Sequence, residues 1–338
     1  MTNNILLIPL IVSFLTTLLL MPFWIGKAKQ IGLLWPDQNK SDKKKLVAGS
    51  GGIIVILGFL IGVLLYIAYR IFVLNDANLI LVNLFASLTT ILLLAGIGLI
   101  DDLLGWQHGG LSRRSRIILV GFAAIPLVAI NAGKSLISLP LLGEVHLGLF
   151  YPLVFIPLGV IVASTTYNFL AGFNGLESGQ GILILSALAI VAYMTNNSWL
   201  SVVLSCMVLS LLAFLLFNFY PAKVFPGDSL TYAVGGLIAI SAIIGNFEKI
   251  AIFFFIPYII ETALKLRGGL VKQSFGKPTE DKTLELKYPK IYSLNHLAIL
   301  ILNKTKYKAT EKTCVYLIWA FQLLIILLGF IIFRNGVF

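Results

Sequence analysis

The stretch GIGLIDDLLG, Gly96 to Gly105, sets two adjacent carboxylates, Asp101 and Asp102, against the end of an apolar run long enough to cross a bilayer. An ionised side chain at membrane depth costs about 2.5–3.5 kcal/mol on insertion scales, so a carboxylate pair kept there lines a watery cavity, binds a cation or handles protons. Two further apolar runs end in polar sets of the same kind. These are Asn168 with Asn174 and Glu177 in YNFLAGFNGLESGQG, and Asp228 in FPGDS.

The rest of the chain has the same character. Of 338 residues, 59% are hydrophobic and 12% charged, whereas soluble domains carry roughly a quarter charged residues. Runs of about 20 apolar residues, the length a helix needs to cross hydrocarbon, occur ten times, near 5–24, 51–74, 79–100, 117–131, 149–167, 178–195, 199–219, 229–245, 250–266 and 313–333. The fourth and sixth are short or interrupted. The expected fold is therefore an all-α polytopic membrane protein of about ten transmembrane helices, one integral domain over 1–338 with a long loop at 267–312. The first run lacks a basic leader and a small-residue cleavage site, which makes it a spanning helix rather than a removable signal peptide. Cys206 and Cys314 both fall within apolar runs and suit packing, not a disulfide framework or metal site.

Charge sets the expected orientation. With both termini extracytoplasmic, the inner segments hold six lysines between Lys27 and Lys45, then Arg113, Arg114, Arg116 and Lys223, and eleven basic residues from Lys265 to Lys312. Only Arg70, Lys134, Lys249 and Arg334 of the 25 lysines and arginines then face outward. That asymmetry is what the positive-inside rule demands, and it accounts for most of the net charge of +11 without a nucleic-acid partner. It also places Asp101, Asp102, the segment from Asn168 to Glu177, Asp228 and the basic loop on one cytoplasmic face, where four loops can form one site.

Those residue types suit phosphoryl transfer. The carboxylate of Asp228 and the amide oxygen of Asn168 are hard ligands for Mg²⁺, whose remaining positions water and substrate phosphate would fill. Two neighbouring acids resist simultaneous ionisation unless a cation offsets them, so one of Asp101 and Asp102 is a candidate for proton transfer. Arg113, Arg114 and Arg116 are the nearby cations, and such guanidinium groups also stabilise a transferring phosphoryl group. Gly172, Gly175, Gly179 and Gly181 let backbone approach a ligand at a helix start, a setting that favours the phosphates of a nucleotide diphosphate as well as ordinary capping. Phe225, three residues before Asp228, is placed to stack on a base or to anchor the membrane interface.

Taken together, the DD pair after the third run, NFLAGFNGLESGQ after the fifth and FPGDS after the seventh resemble, in order and place, the polyprenyl-phosphate N-acetylhexosamine-1-phosphate transferases. The AGFNGLE form is most similar to the eukaryotic and archaeal branch that acts on UDP-GlcNAc and dolichyl phosphate. The resemblance implies transfer of GlcNAc-1-phosphate from UDP-GlcNAc to a polyprenyl (dolichyl) phosphate, yielding polyprenyl-diphosphate-GlcNAc and UMP, the first lipid-linked step of glycan assembly such as N-glycosylation. It implies Asp101 or Asp102 as base, Mg²⁺ (or Mn²⁺) on Asn168 and Asp228, and uracil contacts from Gly172, Asn174 and Phe225, with Glu177 among the substrate-binding residues. GLSRRSR resembles a segment that places Arg116 near the phosphates. Arg267, Lys272, Lys277 and His296 are candidate pyrophosphate or sugar contacts, and Lys27 belongs to the lipid-phosphate entrance. The implied location is an archaeal-type cell membrane or an endoplasmic reticulum membrane with a cytoplasmic active site, and a homodimer is one expected assembly.

Departures limit the carry-over. Gly105 and Thr165 replace a third acid and an earlier asparagine seen in other members, and the basic loop lacks the bacterial His-rich motif. The residues alone leave direct attack and a two-step course through Asp101 or Asp102 both open. Other classes also remain: a transporter relaying protons or cations through Asp101, Asp102, Asp228 and Glu261, or a CDP-alcohol transferase, although internal repeats and that family's spaced aspartates are missing.

Overall fold

In a computed structural model of the chain, residues 6–40, 45–76, 78–134, 136–139, 143–305 and 307–334 are described. Lys43, Lys44 and Lys306 of the basic inner segments lie outside them, as does the tail at 336–338. The chain is mostly helical. In order it forms α1 (Leu7–Ile31), strands β1 (Leu34–Pro36) and β2 (Leu46–Ala48), then α2 (Gly52–Phe72), α3 (Leu79–His108), α4 (Arg113–Ala123) and α5 (Ile125–Ala129). Strands β3 (Leu136–Leu139) and β4 (Gly143–His146) follow, then a π-helical turn at Tyr151–Phe155 that runs into α6 (Ile156–Tyr167). Next come α7 (Leu176–Met194), α8 (Ser198–Asn218), α9 (Asp228–Gly245), α10 (Glu248–Phe254) and α11 (Ile256–Arg267). The last elements are β5 (Lys277–Pro278), β6 (Leu284–Glu285), α12 (Leu294–Asn303) and α13 (Glu311–Ile332).

Among the described residues, seven helices are long and apolar enough to span a membrane: α1, α2, α3 over Leu79–Trp106, α7, α8, α9 and α13. The other three apolar runs are each built from two pieces, and a proline explains each break. Pro126, Pro157 and Pro257 all stand at the start of the second piece, where a residue lacking an N–H loses no hydrogen bond and its fixed φ suits a new first turn. The sixth run, expected to be short or interrupted, is instead the unbroken 19-residue α7. The three two-stranded antiparallel ribbons, β1–β2, β3–β4 and β5–β6, all lie in connections.

Burial ranks the helices. In α9, 89% of the most apolar window is buried, against 22% in α1 and 33% in α13, so α9 is the central post and the other two are peripheral. It packs on α3 and α6, while α7 lies along α8 and α1 along α2 and α8. In lipid, helices associate by close backbone approach at small residues rather than by the hydrophobic effect. Gly98 on α3 and Gly235 on α9 do this here: a Cβ at Gly98 would overlap the backbone of Asp228, and one at Gly235 the backbone of Ala163 on α6. Large apolar side chains such as Leu19, Phe23, Phe72 and Leu79 point away from this core.

Candidate active site

The two stretches GIGLIDD and FPGDS meet where α3 passes the N-terminus of α9. The first N–H groups of a helix have no acceptor within it and carry its positive dipole end, so a carboxylate is favoured there. Asp102 supplies one from another helix. Its Oδ1 accepts from the Asp228 backbone N–H at 2.8 Å and its Oδ2 from that of Ser229 at 3.5 Å. Gly98 lies four residues earlier on the same face of α3, and its missing side chain is what brings Asp102 this close. Gly227, at φ 73°, completes the junction: the turn needs a left-handed residue, and the space for a Cβ is taken by the Asp102 carboxylate.

Asp101, the residue before it, is 3% exposed and its carboxyl group stands beside that of Asp228. Its Oδ1 accepts from the Leu111 backbone N–H at 2.7 Å and from Arg116 Nη2 at 3.1 Å, while Arg116 Nε lies 2.6 Å from its Oδ2. Arg116 has therefore folded back from the first turn of α4. The neighbouring arginines behave differently. Arg113 donates to the Leu270 carbonyl at 3.1 Å, tying α4 to the basic loop, and Arg114 is exposed.

The connection between α6 and α7 closes the other side. Asn168, at the end of α6, donates from Nδ2 to Asp228 Oδ1 at 2.9 Å. Beyond it the chain turns at Gly172, φ 109°, whose N–H donates to Glu177 Oε1 at 3.2 Å. Asn174 donates its backbone N–H to Glu311 Oε1 at 2.7 Å and its Nδ2 to Asp37 Oδ2 at 3.2 Å. Lys40 pairs with both Asp37, at 3.5 Å, and Glu311. The β1–β2 ribbon is stitched to FPGDS in turn: the Phe225 N–H donates to the Ala48 carbonyl at 2.8 Å, and the Gly51 N–H to the Phe225 carbonyl at 2.9 Å.

These segments enclose a cavity of about 530 Å³. Asp102, Asn168, Gly172, Asn174, Glu177, Phe225 and Asp228 all line it. Asp101 and Arg116 stand behind that wall as an ion pair. Arg267 and Lys277 are exposed and lie away from it, and Lys27 is exposed at the end of α1. His296 is fully buried and away from the cavity, its two ring nitrogens taken by backbone: Nδ1 accepts from the Tyr292 N–H at 3.3 Å, and Nε2 reaches the Phe275 carbonyl at 3.2 Å. It thereby fixes Phe275, whose ring lines the cavity against Gly172. Burial, reinforced by Lys265 and Lys287, pushes the imidazole below its ordinary pKa.

Sequence reasoning missed the contribution of WPDQN. Trp35, Asp37 and Gln38 line the cavity, and Asn39 bridges two other loops, with Nδ2 donating to the Gly172 carbonyl and Oδ1 accepting from the Gly276 N–H at 3.2 Å. The available signal was a short polar, mixed-charge cluster set among lysines between the first two spanning runs.

A divalent ion at this site would need oxygen donors. Among the described residues, no three His, Cys, Asp or Glu side chains are grouped to hold a metal. The adjoining Asp228 carboxylate and Asn168 amide do fit Mg²⁺, which takes one or two protein oxygens and fills its octahedron with water and phosphate oxygens. Softer metals that prefer imidazole or thiolate find no ligands in this wall.

Residues 84–246 match glycosyl transferase family 4. The chain is 32% identical over 94% of its length, and 93% of the relative's, to a Saccharolobus solfataricus protein named "Putative UDP-N-acetylglucosamine–dolichyl-phosphate N-acetylglucosaminephosphotransferase". It is 29% identical to the Dictyostelium discoideum UDP-N-acetylglucosamine–dolichyl-phosphate N-acetylglucosaminephosphotransferase, over 73% of this chain and 68% of that one. A phospho-N-acetylmuramoyl-pentapeptide-transferase of Halalkalibacterium halodurans is 30% identical over 78% of this chain and 82% of its own.

Proposed function

Because the chain belongs to glycosyl transferase family 4, we propose that it transfers GlcNAc-1-phosphate from UDP-GlcNAc to a dolichyl-type polyprenyl phosphate in its membrane. The observation that carries this reading is the convergence of Asp102, Asn168 and Asp228 with Gly172, Asn174 and Phe225 around one cavity. The uridine would occupy the end formed by Gly172, Asn174 and Phe225, with the diphosphate toward Asp228. Mg²⁺ held by Asp228 and Asn168 would supply charge neutralisation for the diphosphate.

An oxygen of the acceptor phosphate attacks the β-phosphorus, forming a new P–O–P linkage. The bond from that phosphorus to the bridging oxygen of UMP breaks, and UMP leaves with the electron pair. Asp102 faces the cavity and is the group placed to take a remaining acceptor proton, while Asp101 holds Arg116 beside the site. The wall is closed by ordered backbone contacts, which orients donor and acceptor before reaction.

The acceptor's tail needs an apolar path. A second cavity of about 370 Å³, lined by Phe155, Leu158, Val162, Ile238, Ile243 and Phe255 among others, runs along the two broken spans, α6 and α10–α11, beside α9. It suits an isoprenoid. With ten crossings, counting the three broken spans, both termini would lie outside and the catalytic cavity would open to the cytoplasm, the orientation that keeps most lysines and arginines of the loops on the inner side.

The test is release of UMP by purified protein given UDP-GlcNAc, dolichyl phosphate and Mg²⁺. We expect metal-dependent turnover in the wild type and a loss of at least about 10²-fold in Asp228→Ala, the size typical of removing an electrostatic catalytic group. Turnover surviving in that variant, or UMP release without acceptor lipid, would overturn the assignment.

A further inference from the structure

The ribbon that forms one wall of the catalytic cavity has a third cavity on its far side, of about 390 Å³. Lys40, Lys45, Lys282 and Lys312 line it with Tyr220 and Glu311. They come from four distant parts of the chain: the segment after α1, the end of α8, the β5–β6 ribbon and the start of α13. The Tyr220 ring has Lys40 Nζ at 4.0 Å and Lys312 Nζ at 5.1 Å from its centroid, an arrangement that steadies two ammonium groups on one surface. Among the described residues Glu311 is the acid that lines this cavity, and it is committed elsewhere: one oxygen accepts from Asn174 and the other pairs with Lys40. Among the described residues, Lys45, Lys282 and Lys312 form no ion pair. A concave site at which the described residues supply four lysines and one acid concentrates multiply charged anions.

We propose that this cavity binds a phosphate-bearing group, and that its occupancy is felt in the catalytic cavity through Lys40. The coupling follows from shared partners. Lys40 is the basic partner of both Asp37 and Glu311, which are buried and together hold the side chain and backbone of Asn174. An anion that draws the Lys40 ammonium toward itself loosens both carboxylates, and so moves a residue of the donor site. The cavity mouth lies where α8 ends and α13 begins, at headgroup level, so either a lipid phosphomonoester or a soluble phosphate has the required chemistry. The coupling rests on the reading of the first cavity as the nucleotide-sugar site, whereas binding does not.

The full chain in phosphatidylcholine nanodiscs, without divalent cation, is titrated with inorganic phosphate in one arm and prepared with increasing phosphatidic acid in the other. Thermal unfolding reads binding. The comparison protein is the double variant Lys282→Gln, Lys312→Gln, since both residues are exposed and away from the catalytic cavity. Replacing Lys40 would instead strand two buried acids. In the wild type the unfolding midpoint rises in at least one arm, and which arm responds identifies the source of the phosphate. In the variant, about tenfold more ligand is needed for the same rise, as expected for losing charge-assisted contacts. Equal responses in the two proteins, or no response in either arm, overturn the site. Under turnover conditions the same ligand changes the wild-type KM for UDP-GlcNAc about threefold or more with kcat unchanged, and leaves that of the variant alone. Binding without any KM change overturns the coupling.

Discussion

At the scale of single residues, the absence of one methyl group decides how near α3 comes to α9. Gly98→Ala would drive a Cβ into the Asp228 and Ser229 backbone, and overpacking of this kind costs about 1–3 kcal/mol. The expected result is a lower unfolding temperature in detergent together with reduced UMP release, because Asp102 withdraws from the N-terminus of α9. Lys40→Met tests the opposite wall. It leaves Asp37 and Glu311, 2% and 3% exposed, without their cation, and removing one partner of a buried ion pair costs about 3–5 kcal/mol. Chemical denaturation should show that loss, and adding Glu311→Gln should recover part of it. These residues differ in how visible they were beforehand. Asp102, Asn168 and Asp228 each stand at the edge of an apolar run, where a polar side chain announces itself. Asn39 gave no such sign, because its value depends on reaching Gly172, 133 positions away.

At the scale of elements, the loop between α11 and α13 is organised by buried polar groups rather than by its many lysines. His296 on α12 bridges Tyr292 and Phe275 as a neutral ring. Its pKa is lowered by burial, so folding favours the uncharged form. The bridge is intact above the unfolded histidine's value, about 6.5, and is lost as pH falls through the lower folded value. Amide exchange across 275–296, corrected for its intrinsic pH dependence, should therefore show protection at pH 7.5 that declines as the solution is acidified. His296→Gln should flatten that profile. A protection pattern indifferent to pH would mean that the imidazole is not what holds Phe275. Seven spans were readable from length and hydropathy, whereas the breaks at Pro126, Pro157 and Pro257 were not, because a proline within an apolar run marks a kink as readily as an end. What sequence could not rank was Arg267 and Lys277 against His296: a charged loop residue looks the same whether it meets ligand or water, and only packing shows which polar group is enclosed.

For the whole molecule, the uneven placement of basic residues makes a direct topological prediction. Lys290→Cys should react with a membrane-impermeant maleimide only from the cytoplasmic side, and Lys134→Cys only from outside. Cys206 and Cys314 are fully buried and should stay silent in both experiments. Labelling of both positions from one side would require an even number of crossings between them, where this topology has five. The architecture also gives α9 a double duty. Its first residue, Asp228, belongs to the polar chamber, and Ile238, Ala239, Ala242 and Ile243, near its far end, belong to the greasy one. This helix is enclosed nearly all round and abuts α3 and α6, so the two chambers share one tightly held wall. Whatever fills the greasy chamber therefore leans on the same helix whose opening turn carries Asp228.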